Sequence, residues 1–264
     1  MNSSDKINAD RFLGFAKVYD DSRPKVPEQA VDIITDYLGR QPERVVDLGC
    51  GTGLSTMVWK GHAREVIGIE PSEDMLAQAE KKVCEGVRFV KGFSDSTGLE
   101  DNSADVVVCS QSFHWMDPVN TLNEADRILK KGGVFATVDC DWPAVYDLEA
   151  EKAYTKLFDK VRKVELETDD INVTFSRWEK KYHLENIKKS GHFSYVREIV
   201  FLSHEPCTPE RFTALAMSQG GLQTILKVRP ELIEKDLDEF LNVMRNIKGK
   251  NICSFCYRMR IGVN

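Results

Sequence analysis

The chain has 264 residues, 42% of them hydrophobic and 30% charged, with a formal net charge of −6 at pH 7. That composition belongs to a folded chain with a substantial core and excludes a disordered or collagen-like one. The longest apolar runs, such as 45–46 and 106–109, are strand-sized, so no membrane span is expected. An acidic balance without a long basic run argues against a nucleic-acid partner.

In chain order, the opening MNSSDKINAD lacks the charged-then-apolar pattern of a secretory signal, and a cytoplasmic protein is expected. From Pro27 to Leu38, apolar residues at Ala30, Ile33, Ile34, Tyr37 and Leu38 recur at helical spacing until Gly39. A strand is predicted at 44–48, followed by a glycine-rich turn and a short helix over 54–60. A second strand at 65–69 leads through Pro71 and Ser72 into a helix carrying Met75, Leu76 and Ala79. Residues 87–91 and 104–109 read as the third and fourth strands. Asp117 caps a helix with Pro118 at its first position, and that helix is expected to run to Gly132-Gly133. A fifth strand follows at 134–138.

Valine- and isoleucine-rich strands alternating with helices predict a parallel sheet covered on both faces. Ligands in such sheets sit at the carboxyl ends of the strands. Beyond Trp142 the pattern changes: 142–185 reads as helical and charged, 195–202 as a strand, 208–248 as helical and 252–261 as a last strand. The segment AMSQGG (216–221) suits either a helix terminus or a loop near a pocket. The predicted fold is α/β, Rossmann-like and doubly wound: a mostly parallel sheet of about seven strands with a helical cover over the site.

The seven cysteines, an odd and scattered set, suit reduced thiols better than a disulfide framework. Cys253 and Cys256 form a lone CxxC that reads as two strand residues, and no metal site is expected.

The turn VVDLGCGTG (45–53) is compatible with a dinucleotide, a nucleoside triphosphate or S-adenosylmethionine. A dinucleotide turn wants glycine at position 54, which is Leu54, and Asp47 would repel a pyrophosphate. No Gly-Lys-Ser/Thr follows, which removes the triphosphate. S-Adenosylmethionine has no phosphates, and Asp47 suits its ammonium, directly or through water. Glu70, 21 residues after Gly49, stands where an acid accepts from ribose hydroxyls. Pro71 pins the turn, and Met75 suits packing against adenine.

VVDLGCGTG, GIEPSEDML, GFSDSTGLEDNSADVVVCSQSFHW and LKKGGVFA, in that order, resemble the class I S-adenosylmethionine-dependent methyltransferases. Within them the chain is most similar to the type 11 group, small-molecule enzymes of the ubiquinone-biosynthesis and trans-aconitate methyltransferase kind. The N-terminal FAKVYDDSRPKVP is similar to that group as well. The resemblance implies that Gly49, Gly51 and Gly53 line the methionine and ribose, and that Glu70, Pro71 and Met75 take the ribose and adenine. Phe93 departs from the acid often found after the third strand, so Asp95 or the Ser94 backbone is expected at the adenine amine. Ser110 and Gln111 should lie under the sulfonium, with Tyr19 closing the methionine end. Residues 1–40 are then N-terminal helices over the cofactor and 41–140 the cofactor-binding core. Residues 141–190 would be a helical insertion or lid, and 191–264 would complete the sheet and acceptor pocket, all in one structural domain.

His114 and Trp115 read either as the mouth of a methyl-transfer pocket, with His114 as a base, or as a core tryptophan beside a routine histidine. Arg23 either holds an anionic acceptor or pairs with a surface acid. The expected partner is a small-molecule methyl acceptor, with the protein a monomer or homodimer. An RNA- or protein-directed enzyme and a catalytically silent cofactor-binding homologue are the alternatives.

Overall fold

The computed structural model describes residues 23–172 and 177–264. Seven strands form one sheet in the order β3-β2-β1-β4-β5-β7-β6. β1 (Arg44–Leu48), β2 (Glu65–Glu70), β3 (Val87–Lys91), β4 (Ala104–Ser110) and β5 (Leu129–Cys140) run parallel. β6 (Tyr195–Pro206) and β7 (Ile252–Val263) pair antiparallel, and β7 also lies antiparallel against β5.

The period of two along each strand decides what packs on each face. Val45, Val66, Val106, Val108 and Val134 share one apolar cluster with Ala30, Val31 and Ile34 of α1 (Glu28–Leu38). Val46, Leu48, Ile67, Ile69 and Val107 form the opposite cluster with Leu122, Ala125 and Ile128 of α4 (Pro118–Ile128). Between them in the chain come α2 (Leu54–Val58) and α3 (Glu73–Ala79).

α4 stops at Ile128, short of the expected Gly132-Gly133, and β5 begins at Leu129. The pairing of Leu129 with Ala104, and of Lys130 with the fully buried Asp105 (3.1 Å), holds 129–131 extended. Gly132 (φ 75°) then absorbs the register shift opposite 104–106. Asp117 caps α4 as expected, accepting from Asn120 N at 2.9 Å.

The second half supplies α5 (Leu148–Glu167), α6 (Asp169–Asn172), α7 (His183–Ser190), α8 (Pro209–Met217), α9 (Gly220–Val228) and α10 (Glu234–Asn246). α5 packs against both α9 and α10, so residues 148–167 share a helical layer with the later helices, while α7 packs on α4. That layer lies beyond the carboxyl ends of the parallel strands through its lining of the second cleft described below. Among the described residues no helix is long and apolar enough to cross a membrane.

Candidate active site

The glycine turn joins β1 to α2 with all three glycines at positive φ: Gly49 at 66°, Gly51 at 58° and Gly53 at 85°. That region is inexpensive only for glycine. The amides of Gly49 and Cys50 both donate to Ile69 O (2.8 and 3.1 Å), stitching the turn to the end of β2. The three positions then serve different ends. A Cβ at Gly49 would stand 2.5 Å from Met116 Cε, and one at Gly53 2.7 Å from the Phe89 ring. A Cβ at Gly51 would meet nothing within 4 Å. Gly49 and Gly53 are therefore packing glycines, and Gly51 faces open space.

Beside that space stands Glu70, at the end of β2 and only 7% exposed. Its Oε2 accepts from Gly51 N and its Oε1 from Ser72 N, both at 2.8 Å. Burial pushes the carboxyl up to about 7, against the pull of those two amides. Two backbone donors thus fix a carboxylate at the carboxyl edge of the sheet.

The cleft these residues open encloses about 1180 Å³, its solvent-open side included. That is room for a nucleoside-sized ligand. Gly49, Gly51, Glu70, Pro71, Met75, Phe93, Ser94, Ser110 and Gln111 all line it, as do Arg23 and Trp115. Three expected contacts do not. Gly53 is turned toward Phe89, and Asp95 is half-buried but off the wall. Asp47 is fully buried beneath the turn, where its Oδ2 accepts from Ser55 Oγ (2.6 Å) and Thr56 Oγ1 (2.7 Å). Its expected contact with a ligand ammonium, directly or through water, is corrected in its direct form: the side chain has no accessible surface for one and braces the turn. Tyr19 lies outside the described residues.

Sequence reasoning missed several lining residues. Ser112, whose hydroxyl donates to Leu48 O (2.7 Å), and Met116 come from the turn after β4. Tyr257 comes from the distant β7, with its hydroxyl on Lys25 O (3.0 Å). No local pattern marks Tyr257, because only the insertion of β7 beside β5 brings it there.

A second cleft adjoins the first and shares Arg23, Gln111, Trp115 and Trp142 with it. Its wall also includes His114, Lys180 and the Gln219–Gly221 stretch, where a Cβ on Gly221 would strike Glu165 at 2.6 Å. AMSQGG is thus both a helix junction and part of a pocket wall. Gln111 sits between the clefts at φ 54°; its Oε1 accepts from Lys180 Nζ (2.8 Å), and its buried Nε2 has no partner. Arg23 Nη2 donates to Ser218 O and Gln219 Oε1, and its guanidinium lies 5.3 Å from the Trp142 ring centroid.

His114, 8% exposed, lies in a 3₁₀ turn with Trp115. Behind it, Asp139 of β5 is bound by Lys180 (2.9 Å) and by Arg260 of β7 (2.8 Å). Side-chain atoms of His114, Asp139 and His183 lie within 4.8 Å of one another, a set of metal-ligand types. Two cations already neutralise Asp139, and a divalent ion there would be a third. This set does not suit a resident metal.

Residues 46–137 match the family model described as a methyltransferase domain. The probable S-adenosylmethionine-dependent methyltransferase CRG1 of Saccharomyces cerevisiae is 33% identical over 124 residues, 45% of this chain and 43% of that one. The chain therefore spans less than half of that relative. An uncharacterized methyltransferase-like protein of Schizosaccharomyces pombe is 26% identical over 262 residues, covering 97% of this chain and 95% of its own. Among solved structures, a candidate type II methyltransferase from Anaeromyxobacter dehalogenans superposes with a TM-score of 0.65 at 17% identity. That likeness covers 91% of this chain and 97% of the other, and it concerns the fold.

Proposed function

We propose that the chain is a class I S-adenosylmethionine-dependent methyltransferase whose first cleft holds S-adenosylmethionine and whose second holds a small-molecule methyl acceptor. The observation that carries this reading is Glu70, held by two backbone amides beside the open face of Gly51. A carboxylate with lone pairs to spare accepts from a ribose diol, and the bare Gly51 backbone lets a ligand approach that a Cβ would block. Both features fit the proposed cofactor.

Pro71, Met75, Phe93 and Ser94 form the mostly apolar wall for the adenine, while Gly49, Ser110 and Gln111 flank the methionine end. When bound, the cofactor supplies a methyl group already activated on a sulfonium. The chain's own task is then positioning: alignment of an acceptor behind the methyl carbon accounts for much of the rate. Trp115 and Trp142, shared by the two clefts, stand at that junction. Asp47 acts from below the turn rather than at the ligand.

Titration calorimetry with S-adenosylmethionine and its demethylated product tests the reading. One site per chain is expected, with Glu70→Ala weakening both ligands by roughly 10- to 100-fold, the worth of a hydrogen bond to a charged group. Absence of binding to either ligand by wild-type protein would overturn it. The methyl-labelled cofactor incubated with a metabolite extract should then label the small-molecule fraction. Label confined to RNA or protein would replace the acceptor half of the proposal.

A further inference from the structure

The wall of the second cleft places one titratable group where a reacting proton would be, backed by a charge network that the cofactor does not use. His114 offers an edge to this cleft: its side chain keeps 10% of its surface, yet Nδ1 is buried without a hydrogen-bond partner among the described residues. The inward Nδ1 lies 4.0 Å from Asp139 Oδ1. On the far side of the same carboxylate, His183 Nε2 stands 4.0 Å from Oδ2, but this ring is fully buried edge-on to Phe113 and has no route to the cleft.

We propose that Asp139 orients His114 as a general base and that the acceptor is a hydroxyl compound, such as a phenol or enol, whose proton must be removed for methylation. The inference rests on the reading of the two clefts as cofactor and acceptor sites.

Three observations carry it. The carboxylate is fixed: Arg260 Nη1 holds Oδ2 at 2.8 Å, Lys180 Nζ holds Oδ1 at 2.9 Å, and Asp139 is 2% exposed. A base whose far nitrogen faces such an anchored acid has one tautomer selected, with the proton on Nδ1 and the lone pair of Nε2 outward. The backbone of His114 is fixed too, its carbonyl accepting from Trp178 N at 2.8 Å. A 4.0 Å gap is about an ångström beyond a hydrogen bond, and catalytic contacts of this kind commonly tighten only when the site is filled. Finally, the cleft wall sets five cationic side chains against four carboxylates, with Lys180 committed to Asp139 and Gln111. With Lys180 so committed, cations and carboxylates stand four against four among the described lining residues, which leaves no net charge to draw an anionic acceptor. A carboxylate acceptor would need no base, and a hydroxyl does.

The step balances. His114 Nε2 takes the acceptor's O–H proton, and the oxygen's lone pair forms the new O–C bond at the methyl carbon. The S–C bond breaks with its electron pair left on sulfur, which becomes a neutral thioether. The resulting imidazolium, stabilised by Asp139, returns its proton to solvent. In the resting protein the ring is neutral: burial depresses its basicity, assisted by Lys180, His183, Arg177 and Arg23. Asp139 is a positioning residue, since it touches neither acceptor nor cofactor.

Nitrogen-15 NMR of the five histidine rings, assigned with His114→Gln and His183→Gln, tests this in protein saturated with the demethylated cofactor. Wild-type His114 is expected neutral at pH 7 with its proton on Nδ1, and Asp139→Asn is expected to reduce that preference while calorimetry shows unchanged cofactor affinity. A wild-type ring protonated on Nε2, or charged at pH 7, overturns the proposal. So does a zinc-induced, chelator-reversed shift of both His114 and His183, which would make the cluster a metal site. Should Asp139→Asn fail to fold, the wild-type tautomer still decides. The acceptor class is read from the labelled product: methyl esters release volatile label in mild alkali, whereas methyl ethers do not. Label that resists mild alkali and is released as methyl iodide by hydriodic acid supports a hydroxyl acceptor; label released by alkali, or retained through hydriodic acid as an N- or C-methyl group is, overturns it. Loss of cofactor binding in wild type would instead sink the underlying two-cleft reading.

Discussion

Replacing Asp47 by Asn should change how stability depends on pH more than it changes stability at any one pH. Asp47 has no accessible surface; Ser55 and Thr56 donate to Oδ2, and Oδ1 has no partner. Burial raises the carboxyl from 3.8 to about 6, with the two hydroxyls pulling the other way. An acid that holds its proton more tightly when folded costs nothing below its unfolded value. Its cost grows as pH rises from 3.8 to about 6 and is constant above. At about 1.4 kcal/mol per pH unit, the full cost is ~3 kcal/mol. The amide introduced by Asp47→Asn cannot ionise; its oxygen can still accept from both hydroxyls, while its NH₂ takes the unpartnered position at a pH-independent cost of about 1–3 kcal/mol. Urea unfolding of both proteins from pH 4 to 8 should therefore show the gap moving toward the variant by ~3 kcal/mol, mostly below pH 7. Parallel curves, or a wild type that gains on the variant as pH rises, would refute burial as the source of the cost.

Gly53→Ala should cost about 2–5 kcal/mol, combining a strained positive φ with overpacking against Phe89, whereas Gly39→Ala (φ 74°, nothing within 4 Å) should cost about 1–2. Equal losses in urea unfolding would show that the Phe89 contact is relieved at no cost. Arg260→Met removes the 4% exposed guanidinium that bridges Asp139 and Glu198, leaving Asp139 with Lys180 and Glu198 with Arg258, and should destabilise by about 2–4 kcal/mol in thermal unfolding at pH 7. A loss below about 1 kcal/mol would mean that Lys180 and Arg258 already compensate the two acids. Asp117→Ala removes the acceptor for Asn120 N, and about 1 kcal/mol should be lost in the same assay; no measurable loss would mean that Pro118 alone sets the start of α4.

The parallel half of the fold was legible because each strand there is a short branched-aliphatic run closed by glycine, proline or a cap. Those are local signals, and β1 to β4 fall at their predicted positions to within a residue. Gly132-Gly133 misled because a glycine pair ends a helix and accommodates a strand irregularity equally well, and the deciding partner, Ala104, lies far back in the chain. In the first cleft, the meeting of Glu70 with Gly51 was readable from their spacing. Asp47 was read with the right residue and the wrong surroundings: sequence shows an acid beside glycines but not that Ser55 and Thr56 fold over it. Asp139 went unnoticed as a site residue, although one acid inside the apolar run VFATVDC is a sign of a buried charge. Its partner, Arg260, is 121 residues away in the chain, and no local pattern joins the two.

The strand order has a consequence for how the molecule is made. β7, the later of the two antiparallel strands, lies inside the sheet, while β6, synthesised earlier, lies at its rim. Until β7 exists, β5 lacks its outer neighbour and β6 lacks its sole neighbour in the sheet. Translating the stretch between Pro206 and Ile252 takes on the order of seconds. During that interval a 12-residue strand bearing Val200 and Leu202, both more than half exposed even in the finished protein, is a nascent segment with open hydrogen-bonding edges. Aggregation on the ribosome, rather than instability of the finished fold, is the hazard that this topology creates.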